Sequence, residues 1–559
     1  MQIVVNSMVE IKNISYELQR YCEKELTFYN PEYVSRKQKR QPVFNIEKHI
    51  KAYIYDGATG SMFVPKGFLN NVISIVGTDV DITYTHKTFD DVNFGWNEQW
   101  QLRDYQESAL MDIHAESGIL VAPAGSGKTI MALRYIDLID KPAVWLVHTT
   151  DLMYQARDRA QKVLLLSGEI GLLGAGHNSF GDKKLLIANF QTLQRSKELI
   201  RIINNNYSVL IIDEAHHVPS NMFMDVVCTL NMEYMLGVTA TPDRKDKCEF
   251  LMYLAIGKQL HEVDRQQLYN DNQLVKPEVK FIYTDFVDEQ TSKTNSNDSV
   301  NAGGENLDYG YLLHKLYSDE DRVELIVNNI FNELSPTNFQ LVLSESIDYA
   351  YKLQKRLIEM IDDNGLRGIE TVLVHGGLVR YNWMVIESKN KAEEMIEDGL
   401  ALDYKFDKRA KRWKVKIENY SAEEFRDRQI TKKERQAILQ TVVNRKIHVL
   451  FATKLAKEGL DIPHLNIGHT VSPKRGDANN RRDGSSIEQE IGRIMRLDPL
   501  NKEKKATWYD YVDNQCGIFK THYYTRRKVY KRLDLPLPRK LKTKMESVEE
   551  FLNKNNLFV

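Results

Sequence analysis

Short runs of consecutive apolar residues, each closed by polar or glycine-rich punctuation, set the pattern of the middle of the chain. Gly118-Ile119-Leu120-Val121, the runs at 143–147, 184–188 and 235–239, and Val209-Leu210-Ile211-Ile212 are separated by stretches of helical spacing. Strands apolar on both faces that alternate with amphipathic helices predict a parallel sheet covered on both sides over 101–262. Ligands of such sheets sit beyond the carboxyl ends of the strands. The pattern returns downstream, with strand runs at 339–343, 370–374 and 448–452 and helical spacing over 430–443.

Residues 1–92 read differently. Short alternating runs at 1–5, 52–55, 61–64 and 72–76 surround a helical stretch near 15–26, which predicts a small α+β domain. The expected fold class is α/β: two parallel-sheet domains, a small N-terminal α+β domain, and an insertion in the second sheet domain. Thr291-Ser292-Lys293-Thr294-Asn295-Ser296-Asn297 reads as part of a linker or mobile loop. The expected boundaries are an accessory domain at 1–92, a first sheet domain at 93–275, the linker at 276–312, and a second sheet domain at 313–530. The insertion falls at 379–430, and a basic tail occupies 531–559.

Composition adds little to this picture. A chain of 559 residues is long for one domain, and a formal charge of -1 leaves its partners open, since 76 Lys and Arg can still share one face. Cys22, Cys228, Cys248 and Cys516 lack metal-ligand spacing and point to a reduced compartment without structural disulfides. With neither a long apolar stretch nor a signal-peptide pattern, the expectation is a cytoplasmic protein with no membrane span.

The chemistry starts at Ala122-Pro123-Ala124-Gly125-Ser126-Gly127-Lys128-Thr129, placed between a predicted strand and a predicted helix over 130–136. That is the context a nucleotide phosphate loop requires. Gly125 and Gly127 let the backbone N–H groups around Ser126 curl about phosphates, Lys128 supplies charge to the terminal phosphates, and the Thr129 hydroxyl suits a bridging Mg²⁺. The general pattern has glycine where this chain has Ala122.

The run ending at Ile212 leads straight into Asp213-Glu214-Ala215-His216, which sets two carboxylates at the sheet edge that the phosphate loop also reaches. Asp213 suits a metal ion and Glu214 a general base for water. An acidic helix start is the bland reading of these residues alone. Far downstream, Gln489, Arg493 and Arg496 are spaced to share one helical face, which alone also fits an exposed amphipathic helix.

Two basic stretches stand apart. Arg36, Lys37, Lys39 and Arg40 lie near Phe28, Tyr29 and Tyr33, a composition that fits phosphate contact with base stacking, and also fits a solvated face. The block 379–430 carries Lys405, Lys408, Arg409, Lys411, Arg412, Lys414 and Lys416, and reads either as a grip on duplex DNA or a junction, or as a solvated helical insertion.

Over roughly 95–515 the chain resembles the superfamily 2 helicases and translocases, in which two RecA-like domains close on ATP. Family phosphate loops commonly begin with alanine, as at Ala122. Leu102-Arg103-Asp104-Tyr105-Gln106 resembles the adenine-side motif, which implies that Gln106 reads the base with Arg103 in support. The segments with Thr149 and Gln155, and with Asn189 and Gln191, resemble nucleic-acid contact motifs, although proline is more usual near His148 and threonine at Asn189. Thr239-Ala240-Thr241-Pro242 resembles the element that links hydrolysis to domain movement. Thr453 and Glu458-Gly459-Leu460-Asp461-Ile462-Pro463 resemble the segment that contacts strand and nucleotide, with Gly459 and Asp461 on the nucleotide. The resemblance implies that the face of Gln489, Arg493 and Arg496 addresses the γ-phosphate, with Arg496 as arginine finger and Arg493 beside it.

Asp213 to His216 resembles the DEAH box, and the whole arrangement is most similar to the group of XPB-like translocases, restriction motors and phage branch-migration helicases. The resemblance implies an ATP- and Mg²⁺-dependent DNA helicase or translocase acting on duplex, forked or four-way DNA in replication, recombination or repair. It implies a monomer or weak oligomer meeting replication or recombination proteins, in the host cytoplasm if phage-encoded. An RNA helicase and an ATP-switched nucleic-acid-binding subunit remain open. A nuclease constellation and an iron–sulfur cysteine cluster are not evident in the sequence.

Overall fold

A computed structural model describes residues 1–38, 41–44, 46–77, 80–114, 116–166, 168–180, 182–217, 226–240, 242, 248–288, 309–374, 381–386, 388–389, 393, 396, 403–407, 412–418, 432–453, 462–476 and 484–538. These residues form two compact units. One comprises Met1–Val279, Lys474–Ala506 and the described part of Ile518–Val559; the other comprises Lys280–Pro473 and Thr507–Gly517. The architecture is α/β, with two RecA-like parallel sheets and a smaller mixed N-terminal sheet. Among the described residues no helix is long and apolar enough to cross a membrane.

The N-terminal sheet runs in the order Ile54–Asp56, Ser61–Pro65, Met8–Lys12, Gln2–Val5, Asp81–Tyr84. Its alternation sends Ile3, Val5, Val9, Ile11, Met62 and Val64 to one buried face, and the antiparallel register sets Ile3 opposite Ile11 and Val5 opposite Val9. The run at 72–76, expected as alternating and strand-like, is instead the end of a helix, Leu69–Val76. Leu69, Val72 and Val76 recur at helical spacing, and Val72 is fully buried beside Phe68, so tertiary packing overrides the β-branched composition.

The first RecA-like sheet has the order His177–Ser179, Ile170–Gly174, Leu185–Asn189, Ala143–Val147, Val209–Asp213, Tyr234–Thr239, Gly118–Val121, Gln259–Glu262. Apart from the antiparallel edge pair at His177–Ser179, the paired strands are parallel. The strands Gly118–Val121, Ala143–Val147 and Leu185–Asn189 are buried along their whole length, as their unbroken apolar runs required. Registers set Asn189 opposite Val147, Asp213 opposite Val238 and Thr239 opposite Val121, so one edge of the sheet collects all the strand ends that carry chemistry. The Lys66 ammonium in the N-terminal domain donates to the Met232 carbonyl at 2.7 Å below this sheet, and burial lowers its pKa to about 8.

In the second unit the sheet order is Glu278–Tyr283, Thr507–Val512, Ile467–Thr470, Gln340–Leu343, Val449–Ala452, Thr371–Val374. Its core contains a buried Arg322–Asp513 pair at 2.7 Å, with Arg322 also donating to the Val471 carbonyl and Asp513 accepting from Thr284. Within 379–430 the strands Tyr381–Ile386, Arg412–Glu418 and Asp403–Asp407 form an antiparallel sheet, while Lys389, Glu393 and Ile396 are helical. This corrects the helical reading for the described basic stretches: alternation of apolar and basic residues in Arg412–Glu418 has the period of a strand.

Candidate functional site

The phosphate loop leaves the strand Gly118–Val121 and enters the helix Lys128–Ile139. Gly125 and Gly127 have φ of +87° and +82°, a region that L side chains avoid, and Gly127 is the N-cap of that helix. A β-carbon on Gly127 would also lie 2.5 Å from Gln106 Nε2. Lys128 donates to the Ala122 carbonyl at 3.3 Å, and Ser126 Oγ to the Pro123 carbonyl at 2.7 Å. The loop thus presents a helix N-terminus and a lysine to one place, the donor set of an anion site.

Gln106 supports this loop from behind. Its side-chain oxygen accepts the Arg103 N–H in a capping box at 3.1 Å, while Nε2 donates to the Ser126 carbonyl at 3.1 Å. Tyr105 donates to the same carbonyl at 2.7 Å, and Arg103 reaches Tyr105 Oη. In the sequence Tyr105 carries no signal beyond its place between Arg103 and Gln106.

Two strand spacings away, about 10 Å, Asp213 ends its strand. Burial and the adjacent Glu214 carboxylate push the Asp213 carboxyl up to about 6, against the pull of Lys128 and His148. Glu214 has φ +50°, and its N–H donates to Asp213 Oδ1 at 3.0 Å. Its carboxylate lies 3.4 Å from His216 Nδ1, which is also 3.0 Å from Thr239 Oγ1. His216 therefore joins the acid pair to the end of the next strand. A carboxylate raised by burial and by Glu214 at a sheet edge, with the Thr129 hydroxyl in the first turn of the loop helix, fits a hard cation.

The helix Gly484–Ile494 belongs to the same compact unit and packs on the loop. A β-carbon on Gly492 would meet that of Ala124 at 2.6 Å, and one on Gly125 would lie 3.4 Å from Arg496 Cγ. Arg493 is buried, and Gln489 and Arg496 are half-buried. The helix is held by two carboxylates that carry no motif signal in the sequence. Glu488 pairs with Arg265 and, at 2.8 Å, with Arg532; Glu490 pairs with Lys474 at 2.8 Å in full burial. Met495 accepts the Val275 N–H at 2.7 Å, and the Arg496 carbonyl accepts from Lys504 at 2.7 Å.

Further along the sheet edge, Thr149 caps the helix Thr150–Val163 by accepting from Leu152, and Asn189 caps Phe190–Gln194 by accepting from Gln191. Gln191 Nε2 donates to the His148 carbonyl at 2.9 Å, which joins these two adjacent strand ends; Gln155 is half-buried on the first helix. Thr453 is buried in the second unit, its N–H on the Val374 carbonyl. Arg36 is ion-paired with Glu32 at 2.7 Å, and Lys37 is exposed. Lys39, Arg40, Thr241, Gly459 and Asp461 lie outside the described residues.

Residues 99–244 match the family model of the type III restriction enzyme, res subunit, and 385–498 that of the helicase conserved C-terminal domain. The chain resembles the superfamily 2 helicases and translocases. It is 24% identical over 423 residues to the DNA 3'-5' translocase XPB2 of Sulfurisphaera tokodaii, spanning 74% of this chain and 81% of that one. It is 29% identical over 265 residues to the general transcription and DNA repair factor IIH helicase/translocase subunit XPB of Enterocytozoon bieneusi, spanning 41% of this chain and 42% of that relative. This superfamily 2 likeness supports an ATP-dependent role in remodelling nucleic acid, mainly DNA.

Proposed function

We propose that the chain is an ATP-driven DNA helicase or translocase of the DEAH-box type that remodels duplex, forked or four-way DNA in replication, recombination or repair. The observation that carries this reading is the packing of Gly492 and Arg496 against Ala124 and Gly125. It brings a second set of cations to a loop that already offers Lys128 and a helix N-terminus.

In this mechanism Gly125, Ser126, Gly127 and Lys128 hold the phosphates, and Tyr105 and Gln106 keep the loop in shape from behind. Arg103 supports the adenine side. Mg²⁺, held by Thr129 and Asp213, would neutralise charge on the phosphates. Glu214 orients and deprotonates the attacking water. Arg493 and Arg496 stabilise charge on the transferred phosphoryl group, with Gln489 on the same face. Loss of that group weakens the hold on the arginine helix. His216 passes the change to Thr239, on the sheet edge that also carries Thr149, Gln155, Asn189 and Gln191. Those groups contact the backbone of the nucleic acid, so binding is largely independent of sequence and falls with salt.

ATP hydrolysis measured with duplex, single-stranded and branched DNA and with RNA tests the reading. The expected result is stimulation by DNA, strongest with branched forms. Preferential stimulation by RNA, or tight ATP-dependent binding without turnover, would overturn it.

A further inference from the structure

The N-terminal domain carries an aromatic cleft outside the ATP site. In the strand Thr27–Tyr29 successive side chains face opposite ways. Phe28 stacks on Phe250 with ring centroids 3.8 Å apart, which turns Tyr29 outward and leaves it 65% exposed. Asn30 then ties the two walls of the cleft together. Its backbone N–H donates to the Lys48 carbonyl at 3.0 Å, and its side-chain oxygen accepts the Glu32 N–H at 3.0 Å, starting the helix Pro31–Gln38. Between the strand ribbon and this helix lies a cleft of about 350 Å³ lined by Tyr29, Tyr33, Val34, Lys37 and Lys48.

Tyr33 and Lys37 stand one helical turn apart on the face that lines the cleft. The Lys48 ammonium lies 5.9 Å from the Tyr29 ring centroid, and the His49 ring 4.9 Å from it. Among the described residues, Lys37 and Lys48 are in no ion pair, whereas Arg36 nearby is held by Glu32. Aromatic faces beside uncommitted ammonium groups complement a planar base with its phosphate. Bases inside a duplex are stacked on each other, so only an unpaired one offers its face.

We infer that this cleft takes one unstacked nucleobase of a single-stranded DNA segment, with Tyr29 and Tyr33 against the ring and Lys37 and Lys48 on the adjoining phosphate. The assignment rests on the reading of the chain as a DNA motor and gives that motor a means of holding the single-stranded part of a fork.

Fluorescence anisotropy of the full chain at fixed salt tests it with three DNAs: a fork with a thymidine arm, the same fork with an abasic arm, and a blunt duplex. Tyr29→Leu and Tyr33→Leu are each expected to weaken binding to the thymidine fork about tenfold, with the other two DNAs unchanged. Tyr33→Phe keeps the ring and binds like the parent. Lys48→Gln, conservative for folding, is expected to lower the salt dependence of fork binding by about one phosphate contact. Undiminished binding of the thymidine fork by the leucine variants, or equal losses on all three DNAs, would sink the assignment. So would thymidine monophosphate displacing the fork as effectively as the thymidine strand itself. None of these measurements requires turnover, so a chain that hydrolyses no ATP would refute the motor reading separately.

Discussion

Gly492 on the arginine helix lies so close to Ala124 of the phosphate loop that a β-carbon on it would sit 2.6 Å from the alanine's own. Alanine favours a helix over glycine by roughly 1 kcal/mol, so Gly492→Ala sets local propensity against contact with the loop. The expected outcome is a chain no less stable to heat whose kcat falls about tenfold or more, with ATP binding retained. Ala124→Gly removes the opposing β-carbon, and combined with Gly492→Ala it should recover much of the rate. A double-mutant cycle in kcat with no coupling would show that this contact does not matter.

Lys128 and Arg496 should fail differently. Lys128→Ala removes charge from the loop itself and is expected to abolish hydrolysis and weaken binding of a fluorescent ATP analogue. Arg496→Ala is expected to keep binding within a few-fold while kcat falls by about 10³, the scale of an arginine finger. Normal turnover by Arg496→Ala would reassign that role.

The Asp213 carboxyl goes from an ordinary value of 3.8 up to about 6 on folding. Across that window the native state binds more protons than the unfolded one, so this group's contribution makes stability fall as pH rises from about 4 to about 6. Asp213→Asn should remove that pH dependence. At pH 7, without nucleotide or magnesium, it should stabilise the unit by on the order of 3 kcal/mol. Urea unfolding of parent and variant from pH 4.5 to 7.5 provides the comparison, and an unchanged slope would contradict the stated cause.

Arg322 and Asp513 are both essentially inaccessible to solvent. Removing one partner strands the other charge, so Asp513→Ala should destabilise the second unit by about 3–5 kcal/mol. Arg322→Met combined with Asp513→Leu should cost much less than the sum of the single changes. Chemical denaturation followed by the fluorescence of Trp508, buried in the same unit's sheet, measures both.

Much of the site was legible because its chemistry is local in sequence. Asp213 follows an apolar strand directly, and Gly125, Gly127 and Lys128 stand between strand and helix, so a single local pattern locates each group. The run at 72–76 shows where such reading fails: its β-branched residues suit either period, and burial of Val72 against Phe68 decided for a helix. The insertion shows the same ambiguity in reverse, with Lys405, Arg412, Lys414 and Lys416 on strands.

The sequence by itself determined which groups exist and which strand or helix end carries each, because backbone periodicity is set within a few residues. Only the tertiary structure decided which of them meet. The approach of Gly492 to Ala124, the link from His216 to Thr239, the grip of Tyr105 on Ser126 and the tie of Asn30 to Lys48 all join elements distant along the chain. Such contacts depend on how whole faces pack, and packing is a property of volumes and registers that no short stretch of sequence specifies.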